Sequence, residues 1–458
     1  MPIGFSLHQI RPLLSKASGQ WYYGIIYTFL HVDMVQSSTA SVQSVISNEQ
    51  PAPKLLGWYA VCVSNSLKTD YLYFFSVYNE QLILYRDKES QAVCIKDLCT
   101  HRAASFQGGE IKSGEIICPY HGAKFSSDTS SKFPDKICCN SIVDTNYDTY
   151  AQNIQLFQYP CVERDGYIYI YYTGKATKNL DDVKIHSTLE DLEYTPESYG
   201  FNTSDYAYEE AILDFRCDWS RIIENHLDIL HIFWMHGNSL PGNQVNRKTI
   251  KSFNHQFTKT RNYIKCTYTH KDKENTEFIT QVFVPPGRIY MYRESPESAR
   301  YIQVLDHIPL ANNRARVIVR HYRKFLTNKF LCKLILFSLR QRSIFYSIFT
   351  EDYLALKAQT FNKQMGYMNP MYMKLLAEDK AISWYWDWYE KSLKSDCPWD
   401  LNILTANTNS IHEQETMFYP PENPKLARIV ENRFRLRLLL RLTIFLVFIA
   451  LVFILFSN

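Results

Sequence analysis

The chain has 458 residues, enough for two or three domains, and its apolar and charged fractions are those of an ordinary folded protein. Its formal net charge is +4. The stretch 425–441 contains six basic residues and one acidic residue, a net charge of +5, so the rest of the chain carries about −1. A basic excess confined to one segment beside an apolar run argues against nucleic-acid binding and favours a lipid surface.

Residues 1–54 are predicted to be peripheral, because a Ser/Gln-rich linker follows an apolar stretch too short to cross a bilayer. Residues 1–33 are either a weak targeting segment or part of an overextended reading frame. The eleven cysteines lack the spacing of a disulfide framework. Cysteines that bind metal need a reducing compartment, so we expect the catalytic part to be intracellular.

Residues 55–174 are predicted to form an antiparallel β domain, because segments such as YLYFFSVYNEQLILYRD and YIYIYY are rich in aromatic and β-branched residues. In residues 175–405, strand-like segments such as RIYMYRES mix with long helical patterns. The expected fold class is therefore α+β, with a second antiparallel sheet flanked by helices. Residues 406–435 are predicted to be a linker.

A transmembrane anchor is predicted at residues 436–457, where 442–456 is almost purely apolar. About 19 residues that rise about 1.5 Å each nearly cross a hydrocarbon core of about 30 Å. Basic residues precede this run and none follow it, which predicts that the catalytic part faces the cytoplasmic or stromal side. A buried C-terminal helix is the alternative, and the flanking arginines disfavour it.

The first motif is Cys99-x-His101, followed after sixteen residues by Cys118-x-x-His121. Two cysteines and two histidines can hold a structural zinc ion, which spacing alone does not exclude. Each half offers one thiolate and one imidazole, as a Rieske centre requires, because there two cysteines hold one iron and two histidines the other. The motif therefore favours a Rieske [2Fe-2S] cluster.

The second motif, ENHLDILHIFWMHG, spans residues 224–237. On a regular helix Asn225, Asp228 and His231 fall roughly on one face. His236 lies about 140° from His231, so the helix must end or unwind between them if both are to reach one metal. Two histidines and one carboxylate define the facial triad of non-haem Fe(II) oxygenases. A helix end with two buried, hydrogen-bonded histidines is the structural alternative.

The two motifs in this order resemble those of the Rieske non-haem iron oxygenases, over about residues 56–404. The resemblance implies a catalytic domain of helix-grip type. The ligands that it implies are Cys99 and Cys118 for one iron of the cluster, His101 and His121 for the other, and His231 and His236 for mononuclear Fe(II). It also implies that Asp228, with Asn225 nearby, serves catalysis by linking His231 to the cluster ligand His121 of a neighbouring subunit in a homotrimer.

The third iron ligand must lie far downstream, and in the family it is an acidic residue at the start of a late helix, often with a later Gln. Asp352 and Gln359 match this pattern. Glu351, next to Asp352, is one alternative for the third ligand, and Asp306, farther away in the sequence, is another. The two imidazoles are neutral, so a carboxylate is needed to offset part of the charge of Fe(II).

The segment MYMKLLAEDKAISWYWDWYEKS, with Trp388 and an apolar C-terminal run, is similar to the pheophorbide a oxygenase and lethal-leaf-spot group. That resemblance implies a membrane-anchored mono- or dioxygenase for a large hydrophobic, tetrapyrrole-like substrate. Sterols and other lipids are alternative substrates, and a non-catalytic Rieske electron carrier is the alternative of a different class. The chain lacks a Gly-rich dinucleotide motif, so we expect a ferredoxin or flavin reductase to supply electrons for O₂ activation.

Overall fold

The computed structural model describes residues 54–127, 136–142, 154–185, 207–236, 254–260, 262–272, 275–294, 301–323, 327–328, 332, 337–367 and 375–393. These residues belong to a single compact unit. The predicted peripheral segment apart from Lys54, the linker 406–435 and the anchor 436–457 lie outside the described residues. No described helix combines the length and apolarity needed to span a bilayer.

The first half of the described chain forms three small antiparallel sheets, as the aromatic and β-branched runs predicted. Their strand orders are β1-β11-β10, β2-β3-β4-β9 and β5-β6-β7-β8. The strands are β1 (Gly57–Val63), β2 (Tyr73–Val77), β3 (Glu80–Arg86), β4 (Ala92–Lys96), β5 (Glu110–Lys112), β6 (Glu115–Ile117), β7 (Lys124–Ser127), β8 (Ile137–Ser141), β9 (Gln158–Tyr159), β10 (Cys161–Arg164) and β11 (Tyr167–Tyr172).

The second half is built on one antiparallel sheet, which has seven strands among the described residues in the order β12-β18-β17-β16-β15-β14-β13. Neighbours in sequence pair as hairpins, except that β18 returns to pair with β12. The strands are β12 (Ala207–Phe215), β13 (Asn254–Lys259), β14 (Ile264–Asp272), β15 (Asn275–Val284), β16 (Arg288–Glu294), β17 (Tyr301–Ala311) and β18 (Arg314–Arg323).

Helices pack against this sheet and bury its apolar residues. They are α1 (Trp219–Leu227), α2 (Leu230–Met235), α3 (Phe337–Gln364) and α4 (Lys380–Ser392). On α4 the fully buried Tyr385 and Trp388 contact the ring of Phe283 on β15, with centroids 5.2 and 5.1 Å away. Trp388, singled out by the family resemblance, is therefore a core residue that holds α4 to the sheet. The predicted α+β architecture, a β domain followed by an antiparallel sheet with helices, is confirmed.

The two halves share one hydrophobic core. Trp219, the first residue of α1, packs edge-on against Tyr59 and Tyr78 from the first half, with ring centroids 6.3 and 6.1 Å apart. The backbone N–H groups of Tyr78 and the next residue donate to carbonyls of β17, the first to Pro309 O at 2.7 Å. The start of the helix that carries the second motif is thus fixed directly on the β domain.

The single helix predicted for Asn225, Asp228 and His231 is wrong. Helix α1 ends at Leu227, and Asp228 has extended backbone angles (φ −85°, ψ 105°) before α2 begins. Oδ1 of Asp228 accepts hydrogen bonds from the backbone N–H groups of Leu230 and His231, at 2.8 and 3.3 Å. An acidic side chain in this position satisfies the free N–H groups of the new helix, so it favours a break over a continuous helix.

Candidate metal centres

The two halves of the first motif form loops with the same backbone hydrogen bonds. In each loop the backbone N–H of the cysteine donates to the carbonyl of the fifth residue after it. The carbonyl of the cysteine accepts from the N–H of the fourth residue after it. The pairs are Cys99 with Ala104 and Ala103 (2.7 and 2.8 Å) and Cys118 with Ala123 and Gly122 (2.9 and 3.0 Å). The fourth residue has a left-handed backbone in both loops, with φ of 59° at Ala103 and 64° at Gly122. Gly122 therefore lies at a sharp bend, and Ala103 is its counterpart in the first loop.

The four predicted cluster ligands come together at the tips of these loops. Cys99 and Cys118 are both buried, and burial together with contact between the two thiols raises the pKa of Cys99 to about 12. The rings of His101 and His121 are half-buried and lie 4.9 Å apart between centroids. A buried thiol with such a pKa stays protonated unless a metal binds it. Two inner sulfurs and two outer imidazoles fit the ligand division of a Rieske cluster.

The surface around the outer histidines is aromatic and basic. Tyr120 is largely exposed and stacks on His121, with ring centroids 4.0 Å apart. The guanidinium of Arg102 lies 5.8 Å from the centre of the Tyr120 ring. The side of the cluster that carries the histidines is therefore the side open to a redox partner.

The second site brings together residues that are far apart in the sequence. The ligand atoms of His231, His236 and Asp352 all lie within 4.8 Å of one another. Oδ1 of Asp352 is 3.0 Å from Nε2 of His236 and 3.5 Å from Nε2 of His231. His236 and Asp352 are buried, and His231 is half-buried. Helix α2 ends at Met235, so the helix ends between the two histidines as predicted. Two imidazole nitrogens and one carboxylate oxygen that converge in this way fit a facial triad.

The other ring nitrogen of each histidine faces a second carboxylate. Nδ1 of His236 is 2.7 Å from Oε2 of Glu351, and Nδ1 of His231 is 3.7 Å from Oδ2 of Asp228. The hydrogen bond to Glu351 fixes the ring of His236 and leaves its Nε2 for the metal, whereas Asp228 lies beyond hydrogen-bond distance of His231. Glu351, the predicted rival to Asp352, therefore supports a ligand instead of competing for the metal. The sequence showed the acidic pair but not which member faces the histidines.

Charge around His236 favours its protonated form when no metal is bound. Burial lowers the pKa of His236, but hydrogen bonds to Asp352 and Glu351 outweigh burial and raise this pKa to about 9. A metal that binds Nε2 must therefore displace a proton. Asn225 adds a further contact, because its Nδ2 donates to Oδ1 of Asp352 at 3.3 Å.

The remaining predicted candidates lie elsewhere. Asp306 forms a buried ion pair with Arg288, whose Nε donates to it at 2.6 Å, so it is not available as a ligand. Gln359 is half-buried on α3, two turns after Asp352. Among the described residues, the triad is therefore assembled from α2, the residue that follows it and α3, without a contribution from the sheet.

Two family models match the chain. The Rieske [2Fe-2S] domain matches residues 57–141, and the vanillate O-demethylase oxygenase C-terminal domain matches residues 215–311. The first match contains the paired loops and the second contains both histidines of the triad. The chain belongs to the Rieske non-haem iron oxygenase family. The family's two cofactors are a Rieske cluster and a mononuclear iron, and the two sites of this Rieske oxygenase chain fit them.

Curated relatives of the Rieske oxygenase chain match over less than half of its length. It is 28% identical to chlorophyllide a oxygenase of Chlamydomonas reinhardtii over 179 residues, 39% of the chain and 24% of the relative. It is 28% identical to cholesterol 7-desaturase of Caenorhabditis elegans over 190 residues, 40% of the chain and 39% of the relative. The aligned regions thus span well under two thirds of these relatives.

Solved structures show the same fold. Dicamba monooxygenase bound to dicamba has a TM-score of 0.57 and 15% identity, and covers 74% of this chain and 96% of its own. The QL mutant of NdmA from Pseudomonas putida CBB5 with caffeine also has a TM-score of 0.57 and 15% identity. This match covers 78% of the present chain and 97% of the NdmA chain. At this identity the likeness concerns the fold alone.

Proposed function

We propose that this Rieske oxygenase chain is a membrane-anchored enzyme that uses O₂ and externally supplied electrons to oxygenate a large hydrophobic substrate. The observation that carries the proposal is the convergence of Nε2 of His231, Nε2 of His236 and Oδ1 of Asp352 within 4.8 Å. A three-ligand site of this kind leaves open positions on Fe(II) for O₂. An electron carrier has no need for such a second site.

In the proposed reaction, the residues around the triad hold geometry and charge. The mononuclear iron supplies the activation of O₂ when it is bound. Glu351 fixes the ring of His236, Asp228 places a negative charge 3.7 Å from Nδ1 of His231, and Asn225 donates to the carboxylate of Asp352. Because these partners are already in place, the ligand atoms need little rearrangement when the metal binds.

Electrons are proposed to enter through the cluster from a ferredoxin or flavin reductase. The half-buried His101 and His121 form the outer side of the cluster. Asp228 is the proposed bridge between His231 and His121 of a neighbouring subunit in a homotrimer. The position of the carboxylate supports this role, because Oδ2 lies 3.7 Å from Nδ1 of His231 and 31% of the side chain is exposed.

A membrane location and a hydrophobic substrate are proposed together. The apolar run at 436–457 and the basic residues before it support an anchor with the catalytic part on the cytoplasmic or stromal side. Chlorophyllide a oxygenase, whose name specifies a tetrapyrrole, supports a tetrapyrrole-like substrate, as in the pheophorbide a oxygenase group. A sterol or other lipid is the second candidate, because cholesterol 7-desaturase matches with the same identity over a similar length.

The test compares the wild-type protein with His231→Ala. In the wild type we expect iron beyond the two atoms of the cluster, together with depletion of a hydrophobic metabolite relative to a deletion strain. In His231→Ala we expect loss of the additional iron and accumulation of that metabolite, with the Rieske spectrum unchanged. A wild-type protein that binds only the cluster would refute the enzyme and leave the electron carrier. A colourless protein that contains only zinc would support a structural site.

A further inference from the structure

Two buried histidines outside the triad contact each other. His226 on α1 is 7% exposed, and His307 on β17 is 1% exposed. Nδ1 of His226 lies 2.7 Å from Nε2 of His307, and Nδ1 of His307 lies 2.7 Å from the carbonyl oxygen of Gly287. Among the described residues, the group that could hold a metal ion does not include either ring.

The carbonyl at the end of this chain of hydrogen bonds determines where the protons are. Gly287 O can only accept, so Nδ1 of His307 carries a proton. Burial lowers the pKa of His307 to about 4, and burial together with the neighbouring His307 lowers that of His226 well below its ordinary value. Both rings are therefore neutral at physiological pH, and each has one donor and one acceptor nitrogen.

It follows that Nε2 of His307 accepts from Nδ1–H of His226, which leaves Nε2 of His226 without a proton. This nitrogen is buried and has no hydrogen-bond partner among the described residues. Leaving a buried acceptor unsatisfied is unfavourable, so buried polar atoms in native proteins nearly always meet a donor. A hydrogen-bond donor that is not part of the described chain is the fitting partner.

Two contacts place His226 near the triad. Its ring packs edge-on against Phe349, with centroids 5.7 Å apart, and Phe349 lies one turn before Asp352 on α3. The preceding residue, Asn225, donates to Asp352. The backbone of His226 is fixed from the other side, since its carbonyl accepts from Nε2 of the fully buried Gln281 at 2.8 Å.

We propose that Nε2 of His226 accepts a hydrogen bond from a hydroxyl or N–H group of the substrate. His307 enforces this role, because its Nε2 keeps Nδ1 of His226 as a donor. This rests on the proposed function and narrows its substrate class to a hydrophobic molecule with a hydrogen-bond donor near the reacting carbon. His226 is then a specificity-determining residue, and His307 is a positioning residue that acts through it.

The test measures binding of matched pairs to the full-length protein in detergent, by quenching of its Tyr and Trp fluorescence. One pair is cholesterol and its 3-methyl ether. The other is a chlorin methyl ester with a hydroxyethyl side chain and the methyl ether of that hydroxyl, which lacks the donor. The wild type should bind the donor-bearing member of one pair roughly 10-fold or more tightly than its partner, as expected for one buried hydrogen bond.

Substitutions separate the acceptor from general packing. His226→Phe keeps an aromatic ring against Phe349 but removes the acceptor, so the preference should vanish while the partner without a donor still binds. His307→Phe frees the tautomer of His226 and should also reduce the preference. His255→Phe, on β13 of the same sheet and outside the pair, is the matched control and should retain it.

Equal binding of both members of each pair, binding of neither, or an unchanged preference in His226→Phe would overturn the proposal. Iron content and the cluster spectrum are measured on the same wild-type preparation. If both metal groups are present but the preference is absent, only the role of His226 is refuted. If the mononuclear iron is absent, the proposed function fails independently of the binding result.

Discussion

The two metal sites are built in opposite ways. The cluster site is made by two loops close in sequence, each closed by its own backbone hydrogen bonds, and its histidines lie near the surface. The triad joins α2 and the residue that follows it to α3 across more than a hundred residues, and its ligand His236 is held by a further carboxylate. The first site therefore depends mainly on local chain geometry, whereas the second depends on the packing of the whole catalytic half.

The largest effect should come from removing the carboxylate that joins α3 to the triad. Asp352→Asn replaces an anionic ligand by a neutral one while keeping its size, so we expect loss of the mononuclear iron and a fall in turnover of roughly 10³-fold or more. Iron analysis and electron paramagnetic resonance of the reduced cluster measure the two sites separately. Cys118→Ser is the converse control and should remove the cluster signal. If Asp352→Asn also abolishes that signal, the two sites are not independent.

A smaller effect is expected at Asp228, which lies beside the triad and has a partly exposed side chain. Asp228→Asn keeps an oxygen that can cap α2, but it removes the negative charge 3.7 Å from Nδ1 of His231. We expect both metal groups to remain and reoxidation of the reduced cluster by O₂, in the presence of substrate, to slow by roughly 100-fold, the range of supporting carboxylates. Rapid-mixing absorbance of the cluster measures this rate. A rate equal to that of the wild type would remove Asp228 from the electron path.

Glu351 should affect metal affinity more than electron transfer. Glu351→Gln keeps a hydrogen-bond acceptor for Nδ1 of His236 but removes the charge that favours metal binding, so affinity should fall by about 10-fold. Glu351→Ala, which removes the acceptor as well, should cost about 100-fold. Competition with a chelator gives both values. Equal affinity in all three proteins would mean that the ring of His236 is fixed by burial alone.

The smallest effect is expected in the cluster loops, where Ala103 and Gly122 occupy equivalent left-handed positions. Nothing lies within 4 Å of a Cβ added at Gly122, so Gly122→Ala should cost only the backbone strain, about 1 kcal/mol of unfolding free energy. Ala103→Gly should relieve the same strain. Thermal unfolding followed by cluster absorbance tests both. Loss of the cluster in Gly122→Ala would show that the two loops are not equivalent.

The sequence allowed the local site to be predicted more completely than the distant one. Cys99, His101, Cys118 and His121 were identifiable because their spacing places one ligand of each kind in each loop. Asp352 was identifiable only through the family pattern, since no local spacing links it to His236. The structure brings these predicted residues together in two sites.

Features that depend on packing could not be predicted. The break at Asp228 arises because its side chain bonds the backbone of the following helix, which competes with the helical periodicity around it. The support of His236 by Glu351 depends on the rotation of α3 against α2. The pair of His226 and His307 joins a helix to a strand 81 residues later, and neither residue stands in a recognisable pattern.

The shared core also limits how the protein can be dissected. Trp219 covers Tyr59 and Tyr78, and β17 accepts hydrogen bonds from the turn after β2. A fragment that stopped at residue 174 would keep all four cluster ligands but expose this aromatic surface and leave backbone donors without acceptors. Proteolysis or recombinant expression should therefore yield no soluble cluster-bearing fragment, although the loops that hold the cluster are complete within it.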